Sequence, residues 1–129
     1  MQEYISRNID KELIAWKDDS MRKPLLLRGA RQVGKSSAVR HFGREFKYFA
    51  EVNFERHKAI KTFFQGDIDV HMIAQKISNY IKVPMVAGET LLFFDEIQEC
   101  PEAIMALRFF KEDYPELHVI AAGSLLEFT

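Results

Sequence analysis

One stretch constrains this chain more than any other: Leu25-Leu26-Leu27-Arg28-Gly29-Ala30-Arg31-Gln32-Val33-Gly34-Lys35-Ser36-Ser37. An apolar run leads into a turn bracketed by glycines, and a helical pattern follows from Ser36 to Phe46. The spacing fits G-x-x-x-x-G-K-[ST] at Gly29, Gly34, Lys35 and Ser36. With glycine at about 7% of residues, those four positions coincide by chance in roughly one chain of this length in several hundred. The flanking strand and helix patterns therefore decide the reading, because a phosphate-binding loop needs both. Glycines at the two bends let backbone N–H groups approach an anion without a Cβ in the way. The helix beginning near Lys35 adds the positive end of its dipole. Lys35 brings a mobile ammonium for the β and γ oxygens of a triphosphate, the Ser36 hydroxyl suits Mg²⁺, and Ser37 stands within reach of the α-phosphate. The expected phosphate cradle is Gly29, Ala30, Arg31, Gln32, Val33, Gly34, Lys35, Ser36 and Ser37.

The rest of the chain reads as alternating helices and strands. Tyr4 or Ile5, Ile9, Leu13 and Trp16 recur near helical spacing, so Glu3 to Lys17 is expected to be an amphipathic helix lying on the domain that follows. Asp18-Asp19-Ser20 ends it, and Pro24 to Leu27 is the first strand. Tyr48 to Phe54 is a second strand, rich in aromatics. The chain breaks around Gly66-Asp67, after which Asp67 or Asp69 caps a helix with apolar positions Val70, Ile73, Ala74, Ile77 and Ile81. Pro84 and Gly88 close that segment. Thr90 to Phe94 is a third strand, apolar on both faces as a central parallel strand is. Pro101 and Glu102 open a helix that runs through Ala103, Ala106, Leu107 and Phe110 to Tyr114, and Leu117 to Ala122 is a fourth buried strand, followed by Gly123-Ser124. This order predicts an α/β fold: a parallel sheet of about four strands with helices on both faces and the ligand site at the carboxyl ends of the strands.

Asp95-Glu96 closes the third strand, about sixty residues after the glycine-rich loop. Acids often end strands, yet beside a phosphate loop this pair divides into two chemical roles. Mg²⁺ keeps several waters when it binds, and a carboxylate such as Asp95 orients them. Hydrolysis also needs a group that positions and deprotonates the attacking water, and Glu96 is placed for that.

Composition excludes several alternatives. The 129 residues, 47% hydrophobic and 29% charged, suit one domain with a real core. A formal net charge of -1 gives no global attraction to nucleic acid or anionic lipid. The local basic residues Arg40, His41, Arg44, Lys47, Arg56, His57, Lys58 and Lys61 read as solvated helix faces. Apolar runs fall well short of the ~20 residues of a membrane span, and Met1-Gln2-Glu3-Tyr4 has no signal-peptide pattern, so a cytoplasmic protein is expected. The single cysteine, Cys100, permits no internal disulfide, and His41, His57, His71 and His118 share no metal-ligand spacing. All five read as structural.

With these residues in place, the chain resembles the AAA+ ATPases. In detail it is similar to bacterial and archaeal ATPases with a G-[AP]-R-Q-V-G-K-[ST] loop, an apolar-D-E-I-Q segment and a later G-S, here Gly29 to Ser36, Phe94-Asp95-Glu96-Ile97-Gln98 and Gly123-Ser124. The resemblance implies ATP and Mg²⁺ as ligands, Lys35 and Ser36 as Walker A residues, Asp95 and Glu96 as the Walker B pair, and Ser124 at the sensor-1 position. It makes residues 1–18 an N-terminal helix and 24–129 the nucleotide-binding core of one domain. It also implies a longer protein, since such ATPases continue into a fifth strand, a lid with a sensor-2 arginine and usually a C-terminal domain. Without a fifth strand, the Pro24 to Leu27 strand is expected at a sheet edge, open to self-association. No arginine matches a finger, and Arg31 reads as structural or surface. The absence of a guanine-reading N-K-x-D favours adenine. Two other functions fit the same loop: a switch or scaffold that binds ATP with negligible turnover, and a small-molecule kinase. The kinase reading lacks an acceptor site and an arginine-rich lid. The protein or nucleic-acid partner is not legible.

Overall fold

The computed structural model describes residues 8–29 and 33–124. Four helices and four strands alternate: α1 (Asn8–Asp18), β1 (Leu25–Gly29), α2 (Val33–Phe42), β2 (Tyr48–Asn53), α3 (Val70–Ile81), β3 (Thr90–Asp95), α4 (Pro101–Asp113) and β4 (His118–Ser124). Short 3-10 turns occupy Gly43–Glu45, Lys58–Phe64 and Ile97–Glu99. The strands form one sheet in the order β1-β4-β3-β2, and every pairing is parallel. The parallel α/β architecture read from the sequence is the observed one, with β1 at an edge among the described residues.

Alternation along each buried strand builds two cores. Leu91 and Phe93 of β3 and Ile120 and Ala122 of β4 point to the face covered by α1 and α2, where they meet Leu13, Val39 and Phe42. Leu92, Phe94, Val119 and Ala121 point to the other face, against Ile73, Ala74 and Ile77 of α3 and Ala103, Ala106 and Phe110 of α4. This two-sided demand is why β3 reads as an unbroken apolar run and is buried at every residue. Asp69 caps α3, its carboxylate accepting from the Met72 N–H at 3.1 Å.

Several boundaries differ from the sequence reading. Helix α2 begins at Val33, before Lys35, and ends at Phe42, short of Phe46. The Phe46 N–H closes a tight turn on the Gly43 carbonyl, which lets the Phe46 ring turn inward, 5.4 Å from Phe42 and 5.0 Å from His118 between centroids. Burial of that ring outweighs another helical turn. Gly43 itself lies against the Phe49 ring, where a Cβ would come within 2.6 Å. Strand β2 stops at Asn53 and β3 runs on to Asp95. Gly123-Ser124 belongs to β4, because pairing with Arg28 and Gly29 of β1 extends that strand past Ala122. The 3-10 segment Lys58–Phe64 had no periodic signal, and it buries Ile60 and Phe64 in the α3/α4 core. The predicted start of the first helix, before Asn8, lies outside the described residues.

His118 fixes α1 to the sheet. It is 5% exposed, and its Nε2–H donates to the Lys17 carbonyl at 3.0 Å, since a carbonyl can only accept. Trp16 packs edge-on against its ring and donates through Nε1 to the Lys23 carbonyl at 2.7 Å. Burial holds the imidazole below its ordinary pKa, with Arg22 and Lys17 nearby adding to the effect. A depressed histidine contributes stability above its unfolded pKa of about 6.5 and loses it as pH falls through the folded value. The thermal midpoint of the wild type should therefore drop on acidification below about pH 6.5. His118→Gln should lower stability at pH 7.5 and flatten that part of the profile, and an unchanged slope in the variant would count against His118 as its source.

Candidate functional site

The carboxyl ends of the four strands form one row. Gly29 ends β1 opposite Ser124 of β4, and Asn53 ends β2 opposite Asp95 of β3. The connections that follow β1 and β3 leave toward opposite faces of the sheet, α2 on one side and α4 on the other. Such an arrangement opens a crevice above the strand ends. Of the residues singled out from the sequence, Gly29, Asp95 and Ser124 stand in this row, and Glu96 follows Asp95 at once.

Ser36 and Asp95, 59 residues apart in sequence, meet directly. The Ser36 hydroxyl lies 3.2 Å from Asp95 Oδ1 and 3.1 Å from Oδ2, donating to the carboxylate. Helix α2 places the serine in its first turn, and parity along β3 turns Asp95 toward the α2 face together with Leu91 and Phe93. The Glu96 backbone N–H donates to Oδ1 at 2.9 Å. Asp95 is 5% exposed, and this burial holds its carboxyl above the ordinary carboxylate range, with the Glu96 charge adding to it. The Ser36 hydroxyl, the Glu96 N–H and the Arg40 guanidinium oppose the shift.

Lys35, half-buried, folds its ammonium back onto the Arg28 carbonyl at the end of β1. It is thus held at the mouth of the loop. Gly34 and Ser37 continue α2, which carries no acidic residue in its first turn. Ala30, Arg31 and Gln32 of the expected cradle lie outside the described residues.

Glu96 adopts a left-handed backbone, φ 54° and ψ 46°. For a residue with a Cβ this costs on the order of 1 kcal/mol or more, and such strain concentrates at functional positions. The kink lifts the side chain out of the strand direction, and its Oε1 accepts from Gln98 Nε2 at 2.8 Å. The other end of that carboxamide, Gln98 Oε1, is buried with no partner among the described residues. Ser124, half-buried, ends β4 beside Gly29 rather than in a turn.

Two residues of the site were missed as such. Arg40, grouped with the solvated basic residues, pairs through Nε and Nη2 with both carboxylate oxygens of Glu51, each at 2.9 Å, and its Nη2 stands 3.5 Å from Asp95 Oδ2. The signal was available. Arg40 lies four residues after Ser36, on the same helical face, and Glu51 has the strand parity of Asn53 and not that of buried Ala50 and Val52. His57 Nδ1 accepts the N–H of Asn53, the last residue of β2, at 3.0 Å, and His71 stacks on Tyr114 at 4.2 Å. Cys100 is buried, its thiol 3.8 Å from Glu102 Oε1.

A parallel sheet in which a glycine-loop serine is hydrogen-bonded to the acid of the strand two places away is the architecture of P-loop nucleoside triphosphatases. A family model described as an AAA domain matches residues 21–129, and the chain belongs to that family, whose members are nucleotide-binding ATPases. No curated protein matches the chain at a significant level.

The raised Asp95 pKa has a consequence for the protein without nucleotide. A carboxyl whose folded pKa lies above its unfolded value of about 3.9 stabilises most below that value, and this contribution is lost as pH rises through the folded pKa. At neutral pH the buried charge is a cost. Asp95→Asn should raise the thermal midpoint of the nucleotide-free protein at pH 7, with the difference closing toward pH 4. A lower midpoint at pH 7 would show that the charge is better compensated than burial indicates.

Proposed function

We propose that this chain binds ATP with Mg²⁺ at the carboxyl end of the sheet and hydrolyses it. The observation that carries the reading is the Ser36–Asp95 contact, which joins the glycine loop to the acidic strand end. In this reading residues 24–129 are the nucleotide-binding core, with the preceding helix docked on it. The cradle of residues 29–37 offers backbone N–H groups and the α2 N-terminus to the phosphates. Lys35 exchanges its contact with the Arg28 carbonyl for the β and γ oxygens, a stronger charge-assisted partner.

The donor set fits Mg²⁺: a hydroxyl and a carboxylate are hard oxygen donors, and few protein ligands are needed when phosphates complete the shell. Ser36 and Asp95 would hold the Mg²⁺, and the bound cation would neutralise charge on the phosphates.

Glu96 is the base. Its carboxylate orients a water toward the γ-phosphorus and takes one proton as the new P–O bond forms; the bond to the bridging oxygen breaks and ADP leaves with that electron pair. Gln98 restrains the Glu96 carboxylate by donating to Oε1. Ser124, on the strand between β1 and β3, contributes a hydroxyl to the γ-phosphate or the water. A switch that binds ATP without turnover needs no such acid, so the strained, hydrogen-bonded Glu96 favours hydrolysis.

ATP with Mg²⁺ at a hundred times its Kd should stabilise the protein by about 2.7 kcal/mol, a shift of several degrees, and Lys35→Ala should abolish it. An equal shift in that variant would remove the loop from the site. Glu96→Gln should keep nucleotide binding and lower kcat by about 10² or more, the usual contribution of a general base. Turnover equal to wild type would assign the base elsewhere, whereas binding with no turnover in either protein would favour the switch.

A further inference from the structure

Arg40 stands in an unusual relation to Asp95. The Nε and Nη2 donors of Arg40 form a two-pronged pair with Glu51, and such a pair fixes the plane of the guanidinium as well as its position. Nη2 carries two hydrogens. One goes to Glu51 Oε2, and the nitrogen also stands 3.5 Å from Asp95 Oδ2, an ion pair rather than a hydrogen bond. The Arg40 side chain is 47% exposed, so its pairing with Glu51 adds little to stability in solvent. Asp95, by contrast, is 5% exposed and has few ways to satisfy two oxygens. Oδ1 is fixed by the Glu96 N–H and by Ser36. Oδ2 has Ser36 and Arg40. A serine that also lends its oxygen to a cation leaves the Arg40 charge as the other partner of that second oxygen among the described residues.

We propose that Arg40, clamped by Glu51, is a positioning residue that sets the orientation of the Asp95 carboxylate for the cation of a Mg²⁺–nucleotide complex. The inference rests on the reading of Asp95 as the metal-side acid. Glu51 is part of the device, because without it the flexible arginine stem lets the guanidinium turn into solvent. Its place on β2 suits this: it pairs in register with Phe93, two residues before Asp95, on the same face of the sheet. Partners of this kind behind a ligating group commonly matter tenfold to a hundredfold in metal affinity.

The test is a Mg²⁺ titration of fluorescent ADP binding to the full chain, run beside the same binding in EDTA. Arg40→Ala should raise the Mg²⁺ concentration for half-maximal binding about tenfold or more while binding in EDTA stays at the wild-type level. Arg40→Lys and Glu51→Gln should fall between, the first keeping charge without the fork and the second loosening the clamp. An Arg40→Ala protein that loses thermal stability but keeps the wild-type Mg²⁺ midpoint would make the pair merely structural and overturn the proposal. Equal weakening with and without Mg²⁺ would overturn it too, since Arg40 would then act on the nucleotide. If Arg40→Ala does not fold, an unchanged midpoint in both Arg40→Lys and Glu51→Gln overturns it instead. Asp95→Asn separates the two levels: a wild-type midpoint there removes the metal role of Asp95 itself, whereas a raised midpoint with Arg40 variants unmoved removes only this inference.

Discussion

A carboxylate buried at the end of a central strand is the constraint on which the site depends. Asp95 is costly to place there, and burial pushes its pKa up. Among the described residues three groups offset the cost: the Ser36 hydroxyl from the helix behind the glycine loop, the N–H of Glu96 from a left-handed kink, and the Arg40 charge from the next turn of α2. Each donor fixes one neighbouring element. The same arrangement that satisfies Asp95 therefore sets the distance between the loop after β1 and the end of β3, two strands away in the sheet.

The sheet makes that distance reproducible. Because β3 and β4 are buried on both faces, a slip of one residue would exchange Phe93 with Phe94 and move Asp95 to the α3/α4 side, away from Ser36. Two apolar cores, each selecting one parity of the strands, lock the register against such a slip. The aromatic residues add geometric detail. Phe54, Phe64, Phe94 and Phe110 interlock on one face, while Trp16, Phe42, Phe46 and His118 interlock on the other and hold α1. The strand ends themselves carry Asn53, Asp95, Ser124 and Gly29.

Strain and polarity then concentrate at that row. Glu96 is one of two non-glycine residues with positive φ among those described; the other, Lys82, ends helix α3, where a left-handed residue commonly closes the last turn. Glu96 instead stands between β3 and the 3-10 turn Ile97–Glu99, and its carbonyl accepts the Glu99 N–H at 3.1 Å. Its conformation terminates β3 abruptly and points the next acid away from the first, so that two adjacent carboxylates face different environments, one buried and one half-exposed. Separation of that kind lets neighbouring acids take different chemical tasks.

Much of this was legible in the residues themselves. The β1 run, the glycine spacing, the 3, 4 pattern of α3 and the unbroken apolar β3 determined the alternation of elements and the end of the sheet at which the candidate residues gather, because periodicity and backbone freedom are local properties. What escaped was set by partners distant in sequence. Phe46 leaves helix α2 because a core built from Trp16 and His118 receives it, and Ser124 extends β4 because β1 offers it a ladder. Arg40 looked like one solvated charge among several until Glu51 and Asp95 came within reach of it. Charge and spacing in the chain determined which groups the site contains; only the register of the parallel strands, fixed by burial on both faces, decided which of those groups touch.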